Sequence, residues 1–176
     1  MPDRRPGIVF SVKFLGIDPG TRRTGFGIID GARVVQAGVI RLNERWDLGD
    51  RLAILNDELK KIFAQHKPDA TVLERIFLGR NVDSAFKLGH ARGVCMMAAA
   101  QWKSPLAEYA AREVKLSVTG SGSASKEQVR LIVGQQLRYR FESDDLDVSD
   151  ALALAMCHAR ALEVEKQTAR ALGRQL

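Results

Sequence analysis

Apolar and polar positions alternate through the first quarter of the chain, and the alternation predicts strands. VKFLGID runs up to a Pro19-Gly20 turn and predicts a strand ending there. TGFGIID and ARVVQAGVIRL predict two more, with Asp30-Gly31 between them. Asp-Gly between alternating runs is the strongest short-range hairpin signal. The period then lengthens. Leu52, Leu55, Leu59 and Ile62 recur at helical spacing in RLAILNDELKKIFAQH, a helix preceded by Asp50 and ended by Pro68. ATVLE is a short apolar strand that finishes on Glu74. A helical crossover leads into it, so parallel pairing with the first strand is expected.

VDSAFKLGHARGVCMMAAAQWK predicts a long helix rich in Ala and Gly, and Pro105 then introduces a short strand, PLAEY. VTGSGSAS reads as a flexible loop. Ser125 with Gln128 makes a capping-box start for the helix KEQVRLIVGQQLRYR. DVSDALALAMCHARALEVEKQ predicts a helix apolar on nearly all sides over its first turns, and therefore buried there. The last ten residues are polar and are expected to fray. Three meandering strands, then helix, strand, helix, strand and further helices, describe an α/β protein with a mixed five-stranded sheet flanked by helices. At 176 residues there is room for one domain. The expected bounds are 13–166, with a disordered extension over 1–12 and a polar tail over 167–176.

Charge changes the picture modestly. Lys and Arg number 27 against 21 Asp and Glu, a net charge of +6 and a pI near 9.6, which favours a polyanionic partner such as nucleic acid. Within this basic chain the acids crowd into FESDDLDVSD, as a metal site set in a phosphate-binding surface would require. No apolar run approaches the roughly 20 residues that span a bilayer, and the first residues lack the pattern of a secretory leader. A cytoplasmic protein without membrane association is expected. Cys95 and Cys157 lie in apolar helical segments at no metal-binding or disulfide spacing, and read as buried thiols.

The candidate chemistry is carboxylate chemistry. Asp18 ends the first strand, and ligands of open sheets bind at strand carboxyl ends. Glu74 ends another strand, and if the two strands are parallel neighbours both acids reach one sheet edge. Asp147 and Asp150 are three apart at a helix start, hence on one face; Asp144 and Asp147 share that spacing, but Asp150 abuts the buried run ALALA. A helix that must dock on the sheet carries its first acids inward with it. Four acids from three remote segments suit a Mg²⁺-dependent phosphodiesterase, which needs hard oxygen ligands and positions left open for water and phosphate. The three histidines sit in separate elements and read as structural or surface groups. Lys115 and Lys126 flank the Gly-rich loop, where amides and ammonium groups can grip phosphate.

Four blocks, GIDPGTRRTGFGII, LERIFLGRNVDSAFKLGHARGV, YAAREVKLSVTGSGSASKEQV and DVSDALALA, resemble in order and separation the signature blocks of the RuvC family of Holliday-junction resolvases. The resemblance implies an RNase H-like fold, a homodimer, Mg²⁺ dependence with Mn²⁺ substituting, and paired symmetric nicking of four-way DNA junctions, in company with a branch-migration helicase complex. It puts Asp18, Glu74, Asp147 and Asp150 on the family's catalytic, metal-binding positions. It puts Phe77 on an aromatic that opens the junction core, Arg80 and Asn81 among DNA contacts, and Lys115 and Lys126 on basic positions serving DNA contact and catalysis. Three rival readings remain at this level. An actin-like ATPase begins with a similar strand-terminal Asp and Gly/Thr turn but needs a second lobe; a related nuclease could cut hybrids or other branched substrates; a junction-binding scaffold would not cut at all.

Overall fold

The computed structural model describes residues 12–75, 82–142 and 145–173. Five strands form one sheet: β1 (Lys13–Asp18), β2 (Arg23–Asp30), β3 (Arg33–Arg41), β4 (Ala70–Glu74) and β5 (Leu106–Tyr109). Their order across the sheet is β3-β2-β1-β4-β5. The β1–β2 and β2–β3 pairs are antiparallel and the β1–β4 and β4–β5 pairs are parallel, the mixed arrangement expected. Gly31 in the β2–β3 hairpin has φ +59°, a left-handed conformation that glycine adopts without steric cost. The β1–β2 connection is closed by Thr24, which is buried. Its hydroxyl accepts from the Gly20 amide at 3.1 Å and donates to the Gly20 carbonyl at 2.9 Å.

Helices cover both faces. Helices α1 (Leu48–His66) and α2 (Val82–Gln101) lie on one side; α3 (Ala111–Thr119), α4 (Lys126–Leu137) and α5 (Leu146–Ala171) lie on the other. Strand alternation divides the core accordingly. Leu15, Ile17 and Leu73 pack with Leu55, Leu59, Phe63 and Cys95. Phe14 and Val72 face the opposite way, toward Val114, Val133 and Leu152. Period two then puts Asp18 and Glu74 on the face shared with α5, because they continue the series Phe14, Gly16 and Ala70, Val72.

Glycine spacing sets how closely α5 lies on that face. A Cβ on Gly16 would come within 1.9 Å of the Ala151 carbonyl oxygen, and one on Gly25 within 2.1 Å of the Asp147 carbonyl oxygen. No side chain fits either position, so the first turns of α5 rest against the backbone of β1 and β2. That contact brings Asp147 and Asp150 over the carboxyl end of β1.

Some expectations need correction. Helix α1 begins at Leu48 behind Asp47 rather than after Asp50, because Leu48 and Gly49 continue the turn that Asp47 opens. Helix α3 was not anticipated; Glu113 starts it by accepting from the Ala110 amide at 2.6 Å, and Gly120, with φ +79°, ends it. Lys115 therefore sits within a helix that leads to the Gly-rich loop. Helix α5 continues to Ala171, so residues 167–171, half of the polar end expected to fray, are helical; Ala169 is buried and the Thr168 hydroxyl donates to the Val164 carbonyl. The capping box at Ser125 is present: the Gln128 amide donates to Ser125 Oγ at 3.2 Å, and the Ser125 amide donates to Gln128 Oε1 at 2.8 Å.

Candidate metal centre

Asp18 and Glu74 are brought side by side by the parallel register, in which Ile17 pairs with Leu73 immediately before them. Asp147 and Asp150 lie in the first turns of α5, above the same edge. Asp18 feels the charge of the other three carboxylates, and Glu74 feels that of Asp150. Burial, then the charges of Asp150, Glu74 and Asp147, push the Asp18 carboxyl from its ordinary range up to about 7, with Lys126 opposing the rise. Glu74 is raised as well, first by burial and then by Asp150, with Lys126 and Lys115 opposing.

Two cations answer part of this charge. Lys126 Nζ donates to Asp150 Oδ2 at 2.6 Å, and that hydrogen bond holds the ammonium pKa up. Arg23 Nε donates to Asp147 Oδ2 at 2.8 Å. Glu74, Lys115, Lys126 and Asp150 line a cavity of about 210 Å³, walled on its apolar side by Val114, Val129 and Leu154. The Glu74 backbone is steadied from α2: Arg92 Nε donates to the Glu74 carbonyl at 3.4 Å, while its guanidinium pairs with Glu108 on β5.

The donors are hard oxygens, the class that suits Mg²⁺, and a carboxyl raised by burial and by three neighbouring carboxylates marks an excess of negative charge that a divalent cation would relieve. Among the described residues, however, no three His, Cys, Asp or Glu side chains are gathered tightly enough to hold an ion as they stand. Asp147 and Asp150 are instead held by Arg23 and Lys126. The residues fit the ion in kind and in neighbourhood, and an ion would compete with those two cations for the Oδ2 atoms of Asp147 and Asp150.

The predicted residues thus divide. Asp18, Glu74, Asp147, Asp150 and Lys126 are brought into one electrostatic cluster, with Lys115 on its cavity wall. Phe77, Arg80 and Asn81 lie outside the described residues, as does Asp144, the rival in register. Asp145 is committed elsewhere, its Oδ2 accepting from the Glu142 amide at 3.0 Å. The histidines have structural partners: His66 meets Gln36 at 2.5 Å, His158 meets the Tyr109 hydroxyl at 2.8 Å, and His90 meets the Phe86 carbonyl at 2.7 Å. Cys95 and Cys157 are buried free thiols. Sequence reasoning missed Arg23 and Arg92. Arg23 had a readable signal, since it shares a strand face with Gly25 and Gly27, the positions that lie under α5.

A mixed β3-β2-β1-β4-β5 sheet carrying acids at the carboxyl ends of β1 and β4, completed by a helix laid across them, places the molecule in the RNase H-like class. The chain belongs to a particular family within it, described as crossover junction endodeoxyribonuclease RuvC, whose model matches residues 14–158. A relative so named from Halorhodospira halophila is 45% identical over 150 residues, covering 84% of this chain and 89% of the relative. Another from Syntrophotalea carbinolica is 45% identical over 157 residues, covering 87% and 97%. Among solved structures, Thermus thermophilus RuvC in complex with a Holliday junction substrate superposes with a TM-score of 0.81 at 28% identity, covering 88% of this chain and 96% of that one. The yeast mitochondrial Holliday junction resolvase Ydc2, at 13% identity and a TM-score of 0.60, shares the fold. No helix among the described residues is long and apolar enough to cross a membrane.

Proposed function

We propose that this chain resolves four-way DNA junctions by paired symmetric nicks, hydrolysing the phosphodiester with Mg²⁺, or Mn²⁺ in its place, held by Asp18, Glu74, Asp147 and Asp150. The observation that carries the reading is the convergence of Asp18 and Glu74, at the carboxyl ends of paired strands, with Asp147 and Asp150 in the first turns of the helix laid over them, in a fold whose named relatives act on crossover junctions. A bound divalent ion would supply an activated water and charge stabilisation for the leaving oxygen. The protein's own part is placement. Water oxygen joins phosphorus, the bond from phosphorus to the sugar oxygen breaks, and that oxygen takes up a proton. Lys115 and Lys126, on the walls of the 210 Å³ cavity beside Glu74 and Asp150, hold and orient the phosphate, Phe77 engages the junction core, and Arg80 and Asn81 contact the DNA.

A homodimer belongs to this proposal, since two opposed strands must be cut. Helix α2 is its best surface. Phe86 and Met97 are 67% and 44% exposed, and with Gly89 and Gly93, where an added Cβ would meet nothing, they line an apolar cavity of about 530 Å³. An exposed apolar patch of this kind can be shared by two copies across a two-fold axis. A branch-migration helicase complex completes the set of partners that the family relation suggests, in the cytoplasm.

The test compares a four-way junction, a flap, a plain duplex and an RNA–DNA hybrid in Mg²⁺. Symmetric nicks confined to the junction are expected, and preferential hybrid cutting would defeat the proposal. Asp18→Asn should lower nicking on the order of a thousandfold, the scale of losing a main charge-stabilising group, while junction binding measured by gel shift stays within about threefold. Equal loss of both would make Asp18 a structural residue.

A further inference from the structure

Arg23 has no part in the function proposed so far, yet it holds one of the four acids. Its position follows from the strand. Arg23, Gly25 and Gly27 alternate along β2 on the face beneath α5, and Gly25 lies so close to Asp147 that a Cβ there would stand 2.1 Å from the Asp147 carbonyl oxygen. A long side chain two residues earlier on that face therefore emerges beside the Asp147 carboxylate, and Nε reaches it at 2.8 Å. Both side chains are 31% exposed, so the pair sits at the rim rather than in the core. Across the strand pair, Arg23 is opposite Arg41.

We infer that Arg23 occupies Asp147 in place of a metal ion and is transferred to a DNA phosphate when an ion loads. The inference rests on the metal reading above and adds a coupling to it. One carboxylate oxygen accepting from the guanidinium at 2.8 Å is a poorer ligand until that contact opens, so the ion must compete with Arg23. Once Asp147 turns to the ion, the guanidinium remains at the rim of a site whose substrate is a polyanion, and Arg is well suited to phosphate. Metal and DNA then favour each other, because each takes one end of a pair that the other must break.

The experiment titrates Mn²⁺ into the full chain without DNA, following free Mn²⁺ by electron paramagnetic resonance, for the wild type and for Arg23→Gln and Arg23→Lys. Arg23→Gln should bind Mn²⁺ about fivefold more tightly, the scale of a partly exposed ion pair, with Arg23→Lys between. Junction binding is then measured against salt with and without Ca²⁺, the strands checked to remain uncut. With Ca²⁺ the slope of log K on log salt should be shallower by about 0.9 in Arg23→Gln than in wild type, the loss of one phosphate contact; without Ca²⁺ the slopes should coincide. Equal or weaker Mn²⁺ affinity in Arg23→Gln, or a slope difference that ignores Ca²⁺, overturns the role of Arg23 alone. Failure of Mn²⁺ to bind any of the three proteins at millimolar concentration overturns the metal reading and this inference with it. Matching melting temperatures without metal would show that the substitution acts on the site and not on the fold.

Discussion

Asp18 and Glu74 stand on strands, whereas Asp147 and Asp150 stand on a helix, and the two pairs keep their charge on different terms. The strand pair is fixed by sheet register, has no cation bonded to its carboxylates among the contacts described above, and is pushed toward neutrality by burial. The helix pair lies at the rim, and each member is bonded to a cation, Asp147 to Arg23 and Asp150 to Lys126. Strand acids alone would be carboxyls that burial raises above their ordinary range. Helix acids alone would be a set of surface ion pairs, which contribute little. In the proposed metal centre the two are complementary: a floor of acids fixed by sheet register, and a rim pair whose counter-cations an ion would displace.

The largest effect comes from moving the two pairs apart. Gly16→Ala would press a methyl group into the Ala151 carbonyl, where the gap to an added Cβ is 1.9 Å. Backbone cannot yield as a flexible side chain can, so a loss of about 3 kcal/mol or more is expected, at or beyond the upper end of overpacking. Gly49→Ala is the control: it sits in α1 with nothing within 4 Å of its added Cβ, and should stabilise by up to about 1 kcal/mol. Chemical denaturation of both variants measures the difference. A Gly16→Ala protein as stable as wild type and still binding metal would show that α5 need not lie on the sheet to build the site.

A smaller effect distinguishes the strand pair by pH. The Asp18 carboxyl is raised from 3.8 in the unfolded chain to about 7 in the folded one. Between these values the folded state holds a proton that the unfolded state has lost, so this group's contribution to stability falls as pH rises and is fully unfavourable above about 7. Asp18→Asn, always neutral, should therefore melt with wild type near pH 4 and above it at pH 8 when no metal is present. At about 1.4 kcal/mol per pKa unit, and after allowance for solvent, the gain is about 2 kcal/mol, or roughly 6 °C for a chain of this size. Saturating Mg²⁺ should reverse the order, because only wild type gains stability by binding it. Thermal melts across pH, with and without metal, show whether the floor is strained as argued.

Much of this contrast was legible in the sequence. Alternation and the Asp30-Gly31 turn gave the hairpin, the helical crossover gave the parallel pairing, and the two together placed Asp18 beside Glu74. The apolar run after Asp150 favoured Asp147 with Asp150; Asp144, the alternative in register, lies outside the described residues. What stayed hidden depends on relations between elements rather than within them. Arg23 reads as an ordinary strand residue until the helix above it is placed, and the glycines that admit that helix look locally like turn or bulge signals. Helix α3 was missed because nine residues between a strand and a Gly/Ser loop offer only Val114 and Val118 as a buried repeat. Lys115 was therefore read as a loop flank, although its helix is what sets it on the cavity wall.

The smallest expected effect tests how the helix pair's cation is held. Lys126 is the first residue of α4, and Ser125 before it supplies the cap. Ser125→Ala removes the oxygen that accepts from the Gln128 amide, at a cost of about 1 kcal/mol and some 3 °C. Ser125→Thr, which keeps a capping hydroxyl, should recover most of it. If the cap also aims Lys126, the alanine variant should nick junctions a few-fold more slowly at a temperature where both proteins are fully folded, and the threonine variant should not. A lower melting point with unchanged nicking would mean that the 2.6 Å contact to Asp150 positions the ammonium by itself. The helix pair would then keep its cation without help from the fold around it, as the strand pair keeps its acids by register.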